Sequence, residues 1–115
     1  MSFLEIGLIE LDPPTVKALL DSGEAVLIDV REDEEYAEEH IAGSELLPMS
    51  DFEVATWPVR PGRKIIISCL GGVRSAAIAN KLISSGHPWA VHMKGGLKAW
   101  KEAGLPTVVG EAPAG

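Results

Sequence analysis

Short apolar runs alternate along this chain with stretches whose apolar residues recur at helical spacing. Ile6 to Leu11 is a brief apolar stretch, while Ala25-Val26-Leu27-Ile28 and Lys64-Ile65-Ile66-Ile67-Ser68 are continuous ones. A run with no polar alternation has no wet side, so these predict strands covered on both faces. Between them the period lengthens. Asp12-Pro13 offers an N-cap and a first-turn proline, Val16, Leu19 and Leu20 form an inward stripe, and Gly23 ends it. Glu32 to Glu39 predicts a short helix with Tyr36 and His40 on its inner side. Ser44 to Leu47 predicts a short strand and Met49 to Trp57 a short helix or helical loop. After the triple isoleucine, Ala76, Ala79, Leu82 and Ile83 recur at helical spacing and stop at Gly86. Ala90 to Met93 predicts the last core strand, and Leu97 to Ala103 the last helix, stopped by Gly104 and Pro106. From Val108 onward a loose tail is expected.

Strands and helices alternating in this way imply an α/β fold, a mainly parallel sheet with helices on both faces in three layers. The expected organisation is one domain over residues 1–107 with a tail over 108–115, and no internal repeat. Ligands of such sheets sit beyond the carboxyl ends of the strands. That edge should gather Arg31, Met49, the loop after Ser68, and Lys94 with Gly95.

Composition narrows the partners. At 115 residues the chain can bury one core without disulfide support. One cysteine permits no internal bridge and suits a reducing compartment. Met1 is followed by neither a basic segment nor a long apolar run, so a signal peptide or membrane helix is not expected and a cytoplasmic location is. A net charge of −7 argues against nucleic acid or an anionic membrane as partner. Residues 1–57 hold fifteen acids and two bases, whereas residues 58–115 hold two acids and eight bases. A positive potential in the second half follows only if folding does not interleave the two. The six acids between Glu32 and Glu39 read most simply as a solvated face, with a partner-docking surface as the other reading.

The chemistry is concentrated in Cys69-Leu70-Gly71-Gly72-Val73-Arg74-Ser75, between a strand and a helix. A turn from a strand's end into a helix leaves backbone N–H groups without helical partners, and the helix adds positive partial charge at the same place. A cysteine held there is stabilised as thiolate, the attacking form, at about 1.4 kcal/mol per pKa unit. Gly71 and Gly72 permit close approach and positive φ, and Arg74 brings a planar cation suited to oxyanions. The bland alternative is a buried structural cysteine. His40, His87 and His92 show no metal-ligand spacing. No metal and no cofactor are expected, and His40 reads as a structural hydrogen-bonding residue.

The same residues resemble the active-site loop of the rhodanese homology domain, Cys-x-x-Gly-x-Arg-Ser/Thr. Asp29-Val30-Arg31-Glu32, His40-Ile41-Ala42-Gly43-Ser44 and Gly95-Gly96-Leu97-Lys98-Ala99-Trp100 resemble further elements of that family in the same order, so the likeness spans residues 25 to about 105. It implies a five-stranded sheet with the cysteine strand central. The activity it implies is sulfur transfer from thiosulfate or a persulfide to a thiol or cyanide through a Cys69 persulfide, with Leu70, Gly71, Gly72, Val73 and Arg74 as the loop that holds it. Asp29 and Arg31 would support the loop or pair nearby. The Cys-x4-Arg spacing is one residue shorter than that of cysteine-dependent phosphatases, which favours a single terminal sulfur over a tetrahedral phosphate. With no second cysteine, the acceptor must come from outside as a small thiol or a protein partner. Leu70 stands where a basic or polar residue is frequent and Gly71 where a serine is, so a modest thiosulfate rate is expected. A docking module of the same fold without turnover is the reading from another class, and a phosphatase or arsenate reductase a more distant one.

Overall fold

A computed structural model describes residues 7–111, so the Ile6 end of the first apolar stretch lies outside the described residues. Five strands, β1 (Gly7–Leu11), β2 (Ala25–Asp29), β3 (Glu45–Leu46), β4 (Lys64–Ser68) and β5 (Trp89–Met93), form one sheet in the order β1-β5-β4-β2-β3. Every pairing is parallel, and the strand leading to Cys69 is the middle one. Three helices lie in the connections, α1 (Pro13–Asp21), α2 (Asp33–Glu38) and α3 (Val73–Ser84), and a fourth, α4 (Gly96–Glu102), follows β5.

The continuous apolar runs are explained by a sheet buried on both sides. Leu27, Ile66, Val91 and Met93 pack on one face with Val16 of α1 and Leu97 and Trp100 of α4. Val26, Ile28 and Ile67 alternate to the other face and pack under Ile78, Ala79 and Leu82 of α3. Each such aliphatic side chain stabilises the fold by about 1.5–3 kcal/mol relative to exposure. α1 begins as its sequence predicts. The Thr15 amide donates to Asp12 Oδ1 at 3.0 Å, and hydrogen bonding by Thr15, its side chain first and its amide second, holds the Asp12 carboxyl below its ordinary range.

Two stretches depart from expectation. Residues 49–57 make two separate 3₁₀ turns, Met49–Asp51 and Val54–Thr56, with extended backbone at Phe52 and Glu53 between them. The break lets Met49, Phe52, Val54 and Trp57 all pack against the α3-side core, which one continuous helix could not do. The expected loose tail is tied down at its start. Val108 and His40 exchange amide–carbonyl bonds of 2.8 Å, and the Gly110 amide donates to the Ala37 carbonyl at 2.9 Å. Among the described residues no helix is long and apolar enough to cross a membrane.

Candidate active site

Cys69 follows β4 directly, at the carboxyl edge of the sheet, and the chain turns from it into α3 through Gly72. Gly72 has φ +99°, in the left-handed region, and a Cβ there would come within 3.2 Å of the Gly95 nitrogen. Gly71 has no such constraint and would accept a Cβ into open space. The sulfur of Cys69 receives two backbone amides, from Gly72 at 3.1 Å and from Ser75 at 3.3 Å. Gly72 belongs to the expected set of loop amides, whereas Ser75, in the first turn of α3, does not.

The orientation of the loop peptides has a physical cause in α4. The Leu97 amide donates to the Cys69 carbonyl at 2.8 Å and the Lys98 amide to the Leu70 carbonyl at 3.0 Å. In a trans peptide the N–H points opposite to the C=O. Drawing those two carbonyls toward α4 therefore turns the amides of Leu70 and Gly71 away from it, over the loop. Among the described residues the amides of Leu70, Gly71, Val73 and Arg74 have no hydrogen-bond acceptor. They are free to receive an anionic atom.

The thiol itself is not open to solvent as a mounted nucleophile would lead one to expect. Cys69 is 1% exposed and packs with Val30, Ile67 and Ile78. The two apolar loop residues, Leu70 and Val73, point different ways. Val73 is exposed, but Leu70 turns inward onto the core beneath α1 and α4.

Arg74 and the acidic helix account for one another. The Arg74 fork binds both oxygens of Glu35, Nη1 to Oε1 at 2.8 Å and Nη2 to Oε2 at 2.9 Å. The expected loop cation is thus already neutralised by an internal partner. The Arg74 hydrogen bonds hold the Glu35 carboxyl down at about 2, well below its ordinary 4.5. Because the folded-state value lies below the unfolded one, the pair stabilises fully above about pH 4.5 and that stability is lost as pH falls toward about 2. With the pair one-third exposed and screened, the contribution is about 1 kcal/mol. We expect Glu35→Gln to narrow its deficit against wild type in urea denaturation as the pH is lowered from about 6 to about 3; a constant deficit would show the pair to be inert.

Asp29 and Arg31 pair with each other rather than reaching the sulfur. Arg31 Nη2 lies 2.9 Å from Asp29 Oδ2 and its Nε 3.1 Å from Oδ1, with both residues buried. The same guanidinium donates to the Glu35 carbonyl at 3.3 Å and the Glu39 carbonyl at 2.8 Å. It thereby ties β2 to the end of α2 and sets where Glu35 meets Arg74. Met49 joins this edge through its amide, which donates to the Val30 carbonyl at 2.9 Å. Lys94 is exposed, while Gly95 lies against Gly72.

Folding interleaves the acidic and basic halves. Glu35 pairs with Arg74, Glu39 with Lys101 at 2.7 Å and Glu45 with Arg60. The Lys101 bond lowers the Glu39 carboxyl below its ordinary range. Glu32 accepts from Ser50 Oγ at 2.7 Å. Half of the six-acid run is therefore structural, and only Asp33, Glu34 and Glu38 form the exposed face. His40 is held by Tyr36, their rings stacked 3.7 Å apart and its Nδ1 2.8 Å from the Tyr36 carbonyl. Among the described residues no group of three His, Cys, Asp or Glu is placed to hold a metal ion. A cleft of about 540 Å³ lined by Trp57, Arg60, Arg63, Lys64 and Trp89 opens at the amino ends of β4 and β5, away from the cysteine.

A model of the rhodanese-like domain matches residues 12–103. The chain belongs to the rhodanese-like domain family. An uncharacterized Synechocystis protein is 36% identical over 100 residues, covering 87% of this chain and 56% of that protein. The chain thus spans little more than half of that relative's length. A sulfurtransferase of Allochromatium vinosum is 29% identical over 103 residues, covering 89% of this chain and 96% of the other. The crystal structure of a thiosulfate sulfurtransferase from Pseudomonas aeruginosa superimposes with a TM-score of 0.78 at 30% identity, over 91% of this chain and 21% of that one. The rhodanese-like fold accounts for the parallel five-stranded sheet and its central cysteine strand. Sequence reasoning passed over Ser75, which lies in the quoted motif, and His92, a lone imidazole in an otherwise apolar strand.

Proposed function

We propose that this rhodanese-like domain is a sulfurtransferase that carries a single sulfur on Cys69. The observation that carries the reading is the sulfur held by the Gly72 and Ser75 amides under a turn whose remaining amides have no acceptor. The Cys69 thiolate attacks the terminal sulfur of a donor, forming a Cys69–S–S bond and releasing sulfite or a thiolate. The free loop amides receive the anionic outer sulfur, and an external thiol or cyanide then removes it. Relatives and structural neighbours named as sulfurtransferases support the class.

The donor we favour is a persulfide, on a small thiol or a protein, over thiosulfate. Arg74 is occupied by Glu35 and offers a sulfonate-like group no free fork, and the 1% exposed sulfur admits a donor presenting one protruding atom. The burial of Cys69 also favours a second reading, a docking module without turnover. Intact-mass measurement after treatment with thiosulfate and with glutathione persulfide separates them. A gain of about 32 Da on wild type and none on Cys69→Ser is expected, faster from the persulfide. Absence of the adduct with every donor would leave the docking module.

A further inference from the structure

A line of hydrogen bonds runs from the protein's edge to the reactive sulfur, and the mechanism above does not use it. Glu10 on β1 lies in register with His92 on β5. Its Oε2 is 2.9 Å from His92 Nε2. The other ring nitrogen, Nδ1, is 2.8 Å from Ser75 Oγ, and Ser75 Oγ is 3.5 Å from Cys69 Sγ. His92 is 2% exposed, while the Glu10 side chain is 47% exposed.

With His92 neutral, the chemistry of the groups sets the direction of every bond. A carboxylate only accepts, so His92 Nε2 carries a proton and neutral Nδ1 is an acceptor. Ser75 then donates to Nδ1 at 2.8 Å in preference to the Gly72 carbonyl at 3.2 Å. That leaves a Ser75 lone pair to receive the Cys69 S–H. The reversed arrangement is equally satisfied by the same distances, with imidazolium Nδ1–H donating to Ser75 and Ser75 donating to a thiolate. A buried chain satisfied in both protonation states is suited to moving a proton.

We propose that Ser75, His92 and Glu10 form a proton relay that ionises Cys69, a role that rests on the sulfurtransferase reading for its use in turnover. The Cys69 S–H proton passes to Ser75 Oγ as the Ser75 proton passes to His92 Nδ1. The thiol becomes thiolate, the imidazole becomes imidazolium, and the four side chains keep a total charge of −1. Glu10 holds the imidazolium through Nε2–H, and the proton returns when the sulfur has left. The need is set by burial. The sulfur is shielded from solvent, and Arg74, the cation of the same loop, is neutralised by Glu35. Among the described residues the other elements packed on His92 bring no competing charge: β4 faces it with Ile67, and of the α3 cations Arg74 is paired and Lys81 is exposed.

The single cysteine makes the test direct, because thiolate absorbance near 240 nm and iodoacetamide alkylation report on Cys69 alone. Wild type, His92→Gln, Glu10→Gln and Ser75→Ala are titrated with no sulfur donor present. At about pH 7 His92→Gln should alkylate about tenfold more slowly, with the ionisation profile displaced upward by about one unit. Glu10→Gln should move the profile in the same direction by less. In wild type, ¹⁵N spectra should show His92 held as imidazolium wherever thiolate is present, losing its proton only at higher pH, and Cys69→Ser should abolish that retention. Glu10→Gln, on a half-exposed side chain, decides the matter if His92→Gln does not fold. Superimposable profiles in folded variants, or a His92 that is neutral where the thiolate is present, would overturn the relay. Because no donor is used, a protein that shows the coupled titration yet never gains sulfur refutes the transferase reading and leaves the relay standing. A protein that gains sulfur with unmoved profiles does the reverse.

Discussion

Gly96→Ala is expected to lower stability by about 2–4 kcal/mol and to cut sulfur loading on Cys69 at least about tenfold. Gly96 adopts φ +61°, and a Cβ there would sit 2.5 Å from the Cys69 carbonyl oxygen and 2.6 Å from the Leu70 carbonyl. These neighbours are backbone and cannot rotate aside. α4 must withdraw, and its bonds from Leu97 and Lys98 to the Cys69 and Leu70 carbonyls lengthen or break. The peptides that turn the loop amides over the sulfur lose their anchor. Gly104→Ala supplies the control, since Gly104 has φ +78° but open space around it. It carries the left-handed penalty without the collision. Urea midpoints and the rate of persulfide mass gain, read on both variants, separate the effects. Equal loading by the two variants would mean that α4 does not shape the loop.

Arg31→Ala is expected to destabilise the domain by about 3–5 kcal/mol, because it leaves the buried Asp29 carboxylate without its partner. The change also removes the donor to the Glu35 and Glu39 carbonyls, freeing the end of α2. Replacing both members, as Asp29→Leu with Arg31→Met, should recover part of the loss, since an uncompensated charge costs more than an absent pair. Chemical denaturation of Asp29→Leu, Arg31→Met and the double variant closes the cycle. Additive losses would show the residues to be independent.

Most of the scaffold could be read from the residues, because the signals were local. The isoleucine run of β4, the Asp12-Pro13 start of α1 and the stripe of α3 each depend on a few neighbours along the chain. The cysteine turn was legible for the same reason. What could not be read is what the fold brings together across distance. Glu35 looked like one acid among six, and only packing selects it for Arg74. Leu70 looked like an apolar residue in the place of a polar one, yet α4 draws its backbone and the core takes its side chain. His92 carried one faint signal, an ionisable residue inside a buried strand. Its meaning rests on Glu10 and Ser75, far away in sequence. The burial of the sulfur is likewise a property of the packed molecule.

The capping of the cysteine turn by α4 also sets an order in time. Synthesis delivers Cys69 about 27 residues before Gly96, so the growing polypeptide carries its sulfur while the helix that shapes the surrounding peptides does not yet exist. Until Leu97 and Lys98 dock, that side chain is an ordinary thiol on an unformed bend. The orientation of the peptides around Cys69 is therefore completed only when α4 packs against them.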